Sequence, residues 1–311
     1  MNQVDHKFMA QALKLAQKGG RAVAPNPMVG AVIVKHGKRI GKGYHQIFGG
    51  PHAEVNAIAS VKHKEDLKGA TMYVTLEPCR HHGKTPPCYD LIQSVGIDRV
   101  VCGSADPWHG AKGEVRRGKK VTSHLEPRTP HLEFLDGKLA NDCHALNKFF
   151  FTWVTKKRPF ITAKIAVSAD GFVAGKNGQP VHLTSNMQDR FVHQLRAQHQ
   201  AIMVGSNTVL LDNPHLGVRH VVGHDPLRII LDSGKKLPKD AKVFRDDNVY
   251  HVQKRVKLST LFKTLAQKGI ASVLVEPGPT LYRLLKKEGL IDELIVLRGR
   301  KKLGEGVKIE L

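Results

Sequence analysis

The first hundred residues alternate between two hydrophobic periods. Across residues 5–18 apolar side chains recur every three or four positions and the pattern stops at Gly19-Gly20, which predicts an amphipathic helix with a glycine C-terminus. The run at residues 30–34 is short and uninterrupted, as in a buried strand. Strand and helix patterns continue to alternate after this run, with strands predicted at residues 70–76 and 99–103 and helices beginning at Pro51 and Pro87. This order predicts a layered α/β domain.

The alternation begins again after Arg158, beyond an aromatic run within residues 146–157, so we predict domains at residues 1–147 and 158–311. Two predicted strands of the second domain, at residues 201–204 and 272–275, end in glycine-bearing turns that lead into helices. A turn of this kind presents unpaired backbone N–H groups to a phosphate. Each turn alone is weak evidence, since such turns join strands to helices in any α/β protein.

Composition indicates an ordinary globular enzyme, with 41% hydrophobic and 24% charged residues in 311 positions. We find no apolar run long enough to cross a bilayer and no secretory signal at the start, so we expect a cytoplasmic protein without a membrane partner. Its four cysteines would then be reduced, which favours a metal or redox site over a disulfide.

The net charge of +22, from 49 basic and 27 acidic residues, favours anionic ligands. Nucleic acid and small phosphorylated molecules both fit that description. A surface of solvated lysines would give the same total, so charge alone leaves the function open.

Candidate metal ligands stand at two strand-to-helix junctions. His52 and Glu54 lie in the opening turn of the helix at Pro51, while Cys79 follows a predicted strand and Cys88 begins the next helix. One imidazole and two thiolates leave the fourth tetrahedral position open for water, which is the arrangement of a catalytic zinc site. Glu54 is then available as the proton carrier. The H-x-E pattern followed by proline-preceded cysteines is the signature of zinc nucleobase deaminases.

The spacing of the cysteines makes the resemblance more specific. Eight residues, including Gly83 and Thr85, separate Cys79 from Cys88. With this spacing the chain resembles the bifunctional riboflavin biosynthesis deaminase/reductase family. The three motifs that carry the resemblance are Pro25-Asn26-Pro27-Met28-Val29-Gly30, Pro51-His52-Ala53-Glu54 and the run from Leu76 to Cys88. The resemblance implies a cytidine deaminase-like three-layer domain that binds one Zn2+. It implies deamination of 2,5-diamino-6-(5-phosphoribosylamino)pyrimidin-4-one, with Asn26 positioning the pyrimidine. His81 and His82 would line the pocket, reach the phosphate or simply lie on the surface.

The second half resembles the family's reductase, which implies a dihydrofolate reductase-like α/β domain that reduces the ribosyl group to a ribityl chain with NADPH. Matching segments are residues 164–171, 195–197, 204–214 and 275–280. The resemblance implies that the residues in contact with the cofactor are Ala166, Thr208, Asp212, Ser233, Gly278, Pro279, Thr280, Leu281, Tyr282, Arg283 and Leu284. The substrate contacts are Arg196, Leu216, Arg219 and Glu276, the arginines being suited to grip a phosphate through paired donors.

Several departures from the family pattern predict a weakened or lost reductase. Residues 180–184, Pro-Val-His-Leu-Thr, stand where the family has Ser-x-Trp-Ile-Thr, and Asp212-Asn213-Pro214 stands for Asp-Asp-Pro. The reductase-like domain also looks C-terminally shortened, and a missing edge strand would leave open backbone groups or require pairing with another subunit, as in a homo-oligomer. In the first half the departures are Asp106 to His109 and the basic stretch at residues 116–120.

Two other classes of function stay open at this stage. A nucleic-acid deaminase would use the same zinc chemistry and would explain the charge, but it needs a channel for the strand and flanking bases. A noncatalytic basic protein on a decayed enzyme scaffold would lack stoichiometric zinc. A deaminase that carries a degenerate reductase domain is a third alternative.

Overall fold

The computed structural model describes residues 2–80, 86–107 and 130–311. The chain divides into two compact units, Met1–Thr155 and Lys156–Leu311. The predictions made for His81, His82, Trp108, His109 and residues 116–120 fall outside the described residues. In the parts of the chain that are described, no helix is both long and apolar enough to span a membrane.

Unit 1 is a mixed sheet between two layers of helices. Its strands are β1 (Gly30–Lys35), β2 (Lys38–Tyr44), β3 (Thr71–Val74), β4 (Arg99–Cys102) and β5 (His131–Phe134). Its helices, numbered along the described residues, are α1 (Gln3–Ala16), α2 (Ala53–Ala59), α3 (Cys88–Ser94), α4 (Gly137–Leu146) and α5 (Lys148–Lys156). Short 3-10 helices span Gln17–Val23 and Lys64–Leu67. The sheet order is β2-β1-β3-β4-β5, antiparallel between β2, β1 and β3 and parallel from β3 to β5.

The two faces of this sheet have separate cores, because successive side chains of a strand point to opposite faces. On one face Phe8 and Met9 of α1 pack with Val32 of β1. On the other face Ala57 of α2 packs with Ile33 of β1. The three-layer arrangement predicted for this half is therefore confirmed.

Two details of the sequence prediction for unit 1 are wrong. Helix α1 ends at Ala16 and continues as a 3-10 helix to Val23, so its regular part stops before Gly19-Gly20. The antiparallel strand β2 was not predicted, because its alternation of charged and glycine residues hides the hydrophobic signal of a strand.

Unit 2 is built on a parallel six-stranded sheet of order β10-β9-β8-β11-β6-β12. Its strands are β6 (Phe160–Val167), β8 (Ala201–Gly205), β9 (Leu227–Leu231), β10 (Val249–Val252), β11 (Ser272–Val275) and β12 (Glu293–Arg298), and β7 (Phe172–Ala174) pairs separately with β13 (Val307–Lys308). Its helices are α6 (Asn186–Gln198), α7 (Ser206–Asp212), α8 (Leu258–Gln267) and α9 (Pro279–Lys287), with 3-10 turns at Lys176–Gly178 and Lys242–Phe244.

Helices cover both faces of the parallel sheet, as its apolar strands require. Phe262 of α8 and Leu285 of α9 pack against Met203 on one face. Leu195 of α6 and Val209 of α7 pack on the other face. Both predicted strand-turn-helix units are present, at β8 to α7 and at β11 to α9, so the turns after Gly205 and Val275 lie at the carboxyl edge of neighbouring strands. Binding clefts of open parallel sheets form at this edge.

Candidate functional site

Helix α2 lies close against strand β2, and this contact positions the first site. A Cβ atom on Gly43 would come within 2.3 Å of the Ala57 backbone nitrogen, so only glycine allows the approach. The Asn56 side chain also donates to the Tyr44 carbonyl at 2.9 Å. His52 is the N-cap residue of α2, and Glu54 lies in the first turn. The start of the helix is thereby held at the end of the strand.

His52, Cys79 and Cys88 come together at the starts of α2 and α3. Their ligand atoms all lie within 4.8 Å of one another. His52 Nδ1 lies 3.3 Å from Cys88 Sγ and 3.7 Å from Cys79 Sγ, and the backbone N–H of Cys88 donates to Cys79 Sγ at 3.3 Å. The structure thus brings together the three residues that the sequence predicted as ligands.

The spacing of these atoms fits a tetrahedral zinc ion. With Zn–S of about 2.3 Å and Zn–N of about 2.0 Å, adjacent ligand atoms stand roughly 3.6 Å apart. The observed Nδ1 to Sγ distances of 3.3 and 3.7 Å lie on either side of that value. Two thiolates and an imidazole are also the ligands that zinc prefers.

The two cysteines share a proton when no cation is present. A hydrogen bond from the Cys88 thiol, opposed by burial and helped by His52, lowers the pKa of Cys79 to about 4. The same hydrogen bond, together with burial, raises the pKa of Cys88. A divalent cation would displace the shared proton, because metal ligation requires deprotonated sulfur.

Glu54 lies beside the ligands on the wall of a cavity of about 150 Å³. The side chain is 4% exposed, and burial raises its pKa to about 7. Other residues that line the cavity are Asn26, Pro27, Val29, His45, His52, Ala53, Leu76, Glu77, Cys79, Asp106 and Phe150. A cavity of this size accommodates a six-membered ring. A carboxyl group with a pKa near neutrality can both accept and donate a proton there.

Unit 2 contains a second cleft, with a volume of about 740 Å³, around a partly buried carboxylate. Glu276 directly follows β11 and accepts from Arg196 Nη2 at 2.9 Å and from Lys164 Nζ at 3.4 Å. Burial raises the pKa of Glu276, but the charges of Lys164 and Arg196 outweigh it and lower the pKa to about 2. Glu276 is therefore a carboxylate throughout the physiological pH range.

A neighbouring cavity of about 630 Å³ lies at the starts of α7 and α9. It shares Asn207, Thr208, Gly278 and Pro279 with the first cleft of this unit. Three cationic residues, Lys254, Arg255 and Lys257, also line it. A cavity with helix starts and cations in its wall suits a phosphate-bearing ligand.

Most of the residues predicted for cofactor and substrate line these two cavities. Ala166, Asp212, Arg196, Arg219 and Glu276 line the first, and Thr208, Gly278 and Pro279 line both, while Ser233, Thr280, Leu281 and Leu284 line the second. Three others do not line either one: the Leu216 and Tyr282 side chains are buried in the core, and Arg283 is exposed on the outer side of α9. Their part in the predicted set rests on the resemblance alone.

The predicted phosphate grip of Arg196 also differs from what the structure shows. Its Nε and Nη2 both donate to Glu276 Oε1, at 3.1 and 2.9 Å, and Nη1 donates to the Gly217 carbonyl at 3.3 Å. The paired donors thus hold a carboxylate of the protein. Arg219 is exposed on the same cleft, with its backbone N–H donating to His193 Nδ1 at 3.0 Å.

The segment that departs from the family pattern lies on this cleft. Val181, His182, Leu183 and Thr184 line it. His182 Nε2 stands 3.2 Å from Asp189 Oδ2, and Thr184 Oγ1 donates to Asp189 Oδ1 at 2.5 Å. The segment is therefore tied to the first turn of α6.

Sequence reasoning missed several residues of these cavities. His45 lies in the wall beside Asn26, and its only sequence signal is its place after a strand that was itself not predicted. Lys164 could have been found, because it is the one charged residue within the apolar run of β6. The basic run of Lys254, Arg255 and Lys257 is indistinguishable in the sequence from the many surface lysines.

Comparisons with known proteins agree with both halves of the chain. Residues 2–104 match the cytidine and deoxycytidylate deaminase zinc-binding region, and residues 159–309 match the RibD C-terminal domain. The riboflavin biosynthesis protein RibD of Aquifex aeolicus is 38% identical, over 99% of this chain and 90% of its own length. RibD of Escherichia coli K12 is 36% identical, over 98% of this chain and 90% of its own length.

Solved structures give the same result. A diaminohydroxyphosphoribosylaminopyrimidine deaminase/5-amino-6-(5-phosphoribosylamino)uracil reductase from Thermotoga maritima is 36% identical with a TM-score of 0.84, over 98% of this chain and 89% of that one. Acinetobacter baumannii RibD is 32% identical with a TM-score of 0.85, over 99% of this chain and 90% of that one.

The fold and the donor set define the class of protein: a zinc-binding domain of the cytidine deaminase type followed by a reductase-type α/β domain. The predicted fold class is confirmed for both domains. The chain belongs to the RibD family of riboflavin biosynthesis proteins.

Proposed function

We propose that this chain catalyses two successive steps of riboflavin biosynthesis. The first is hydrolytic deamination of 2,5-diamino-6-(5-phosphoribosylamino)pyrimidin-4-one, and the second is reduction of the ribosyl group of the product to a ribityl chain with NADPH. The observation that carries the proposal is the set of zinc ligands, His52, Cys79 and Cys88, beside the buried carboxyl group of Glu54 in a cavity of ring size. The family supplies the identity of the substrate.

His52, Cys79 and Cys88 would hold one zinc ion, and that ion would supply Lewis-acid activation of a water molecule. Cys88 begins α3, where the positive end of the helix dipole favours thiolate over thiol. This helix start would help to keep the Cys88 sulfur deprotonated once a cation is bound.

Glu54 moves the protons of the first reaction. A bond forms between the water oxygen and the amine-bearing ring carbon, and the bond from that carbon to the amino nitrogen breaks. The Glu54 carboxylate takes a proton from the attacking water and delivers it to the departing amino group, which leaves as ammonia. Because burial raises the pKa of Glu54 to about 7, both directions of transfer are accessible near neutral pH.

The two cavities of unit 2 would hold the second reaction. We assign the nicotinamide end of NADPH to the shared wall formed by Thr208, Gly278 and Pro279, next to Ala166 and Asp212. The phosphates would lie in the cavity lined by Ser233, Thr280 and Leu281. The cofactor supplies the hydride, and the protein positions it against the opened ribose.

Glu276 and Arg219 are assigned to the substrate of this reaction. Glu276 stays ionised between Lys164 and Arg196, so it presents an acceptor to the ribose hydroxyl groups. Arg219 is exposed on the cleft wall and is the candidate to bind the substrate phosphate, since the paired donors of Arg196 are engaged by Glu276.

Incubation of the purified chain with the diaminopyrimidine ribotide, with and without NADPH, tests both steps. Ammonia is expected in both samples, and the ribityl product only with NADPH. Because residues 180–184 depart from the family pattern at the cleft wall, we expect reduction to be slower than deamination. Reduction that keeps pace with ammonia release would contradict the predicted weakening, and no ammonia in either sample would refute the function.

A parallel incubation with single-stranded RNA and DNA separates the alternative. The substrate cavity of about 150 Å³ suits one ring, and the net charge of +22 suits a phosphorylated small molecule as well as a nucleic acid. We expect no ammonia from either polymer. Faster release from a nucleic acid than from the ribotide would reassign the substrate.

A further inference from the structure

A histidine that is not a metal ligand connects two parts of the deaminase cavity. His45 follows β2 and is 2% exposed. Its Nδ1 lies 3.0 Å from the carbonyl oxygen of Pro51, and its Nε2 lies 3.2 Å from the side-chain nitrogen Nδ2 of Asn26. Both His45 and Asn26 line the cavity that holds Glu54.

These contacts determine which ring nitrogen of His45 carries the proton. A backbone carbonyl can only accept a hydrogen bond, so Nδ1 of His45 must be the donor to Pro51. In the neutral imidazole the other nitrogen, Nε2, is then an acceptor. The group of Asn26 that faces Nε2 must therefore be its NH2 group.

The orientation of the Asn26 amide follows directly. With Nδ2 donating to His45, the carbonyl Oδ1 is the acceptor that the side chain offers to the cavity. We propose that His45 is a positioning residue that fixes the Asn26 amide, so that Oδ1 accepts a hydrogen bond from an N–H group of the bound ring. This inference rests on the proposed deaminase function and adds to it a requirement for a donor at one edge of the substrate ring.

The backbone holds both partners in place for this role. The N–H of His45 donates to the Val29 carbonyl at 2.9 Å, and the N–H of Asn26 donates to the Val23 carbonyl at 2.9 Å. Pro51 directly precedes the zinc ligand His52, so one imidazole connects ring recognition to the start of the metal-bearing helix. A ring that presents a carbonyl oxygen to Asn26 Oδ1 would meet an unpaired acceptor and bind poorly.

Two substitutions of His45 separate its two hydrogen bonds. His45→Asn retains a donor near Nδ1 for Pro51 but is too short to reach Asn26, whereas His45→Gln places an amide oxygen near the former Nε2. We expect His45→Asn to raise KM for the diaminopyrimidine ribotide about tenfold, the effect of one lost hydrogen bond, with kcat nearly unchanged. His45→Gln should recover most of the loss.

A double-mutant cycle with Asn26→Ala tests whether His45 acts through Asn26. We expect His45→Asn to add no further rise in KM once Asn26 is alanine, since the two residues form one unit. Equal effects of His45→Asn in both backgrounds, or a fall in kcat with KM unchanged, would overturn the proposal. Loss of bound zinc in both His45 variants would also overturn it, because His45 would then support the metal site instead of the amide.

His63→Asn is the matched control, because the His63 side chain is 73% exposed in the same unit. It should leave KM, kcat and zinc content as in the wild type. Failure of the proposed function is distinguishable, since the wild-type chain would then release no ammonia from the ribotide.

Discussion

At the scale of single residues, the first site was predictable because metal binding imposes strict demands on chemistry and spacing. His52, Cys79 and Cys88 could be named from the sequence, since two thiolates and an imidazole at two helix starts form the donor set of a catalytic zinc ion. His45 could not, because a buried histidine held by a carbonyl and an amide leaves no pattern in the chain. The ion pair between Arg196 and Glu276 could not be predicted either, because it joins residues that are far apart in the sequence and meet only in the folded protein.

Substitution of one ligand should remove the metal. In Cys88→Ser the hydroxyl replaces a thiolate, so we expect zinc content to fall from about one ion per chain to well below half and ammonia release to fall with it. Metal analysis after dialysis, alongside the assay, measures both quantities. Cys143→Ala is the control. Cys143 is buried in the core on the opposite face of the sheet, so this variant should keep its zinc. Full zinc content in Cys88→Ser would contradict the ligand assignment.

At the scale of elements, apolar periodicity predicted the buried strands and their following helices, and it failed where charge masks the pattern. Strand β2 carries Lys38, Arg39 and Lys42, yet it forms a hairpin with β1 through His36 and Gly37, whose φ angles are 49° and 71°. Two consecutive positive φ values characterise a type I′ turn, so the His-Gly pair was the available signal. The cavities of unit 2 form where the turns after β8 and β11 come together in the fold. The sequence predicted each of these turns separately but not that they meet.

A partly buried ion-pair network attaches α1 to the sheet. Asp5 is 2% exposed and accepts from Arg99 Nη1 at 2.7 Å and from the Tyr73 hydroxyl at 2.9 Å. The hydrogen bond from Arg99 is the largest influence on Asp5 and outweighs burial, so the pKa of this carboxyl falls to about 2. Arg99 also donates to Glu133 of β5, which extends the network across the edge of the sheet.

Asp5→Asn should lower the free energy of unfolding by about 2 kcal/mol at neutral pH, the value of charge-assisted hydrogen bonds. Because the folded pKa is lower than the ordinary 3.8, this stabilisation is fully present above about pH 5 and is lost as pH falls toward 2. Urea unfolding of wild type and variant between pH 7 and pH 2 measures the difference. A difference between wild type and Asp5→Asn that stays constant across this pH range would refute the account.

The cationic wall of the second cavity in unit 2 should select the cofactor. NADPH carries one phosphate more than NADH, and Lys254 lines the cavity together with Arg255 and Lys257. Lys254→Glu is expected to raise KM for NADPH at least tenfold and KM for NADH much less. Lys263→Glu, on an exposed position of α8, is the charge-matched control. If Lys254→Glu raised KM for NADPH and for NADH by the same factor, the extra phosphate of NADPH would not bind at this cationic wall.

At the scale of the whole molecule, each of the two compact units carries the residues that we propose for one reaction. The metal ligands and Glu54 belong to Met1–Thr155, and both reductase cavities are lined by residues of Lys156–Leu311. The sequence prediction of two domains, at residues 1–147 and 158–311, came from the alternation of strands and helices, which restarts after Arg158. The net charge of +22 agrees with two substrates and a cofactor that all carry phosphate, although charge alone did not identify them.

The most direct test of the account compares ammonia release by the wild type and by Glu54→Gln, with zinc measured in the same samples. Because we propose Glu54 as the proton carrier and not as a ligand, we expect the variant to retain about one zinc per chain and to lose activity by a factor of about 10² to 10⁴. Glu65→Gln, whose parent side chain is 76% exposed, should behave as wild type. Ammonia release by Glu54→Gln at the wild-type rate, or a wild-type protein without zinc, would contradict the central claim.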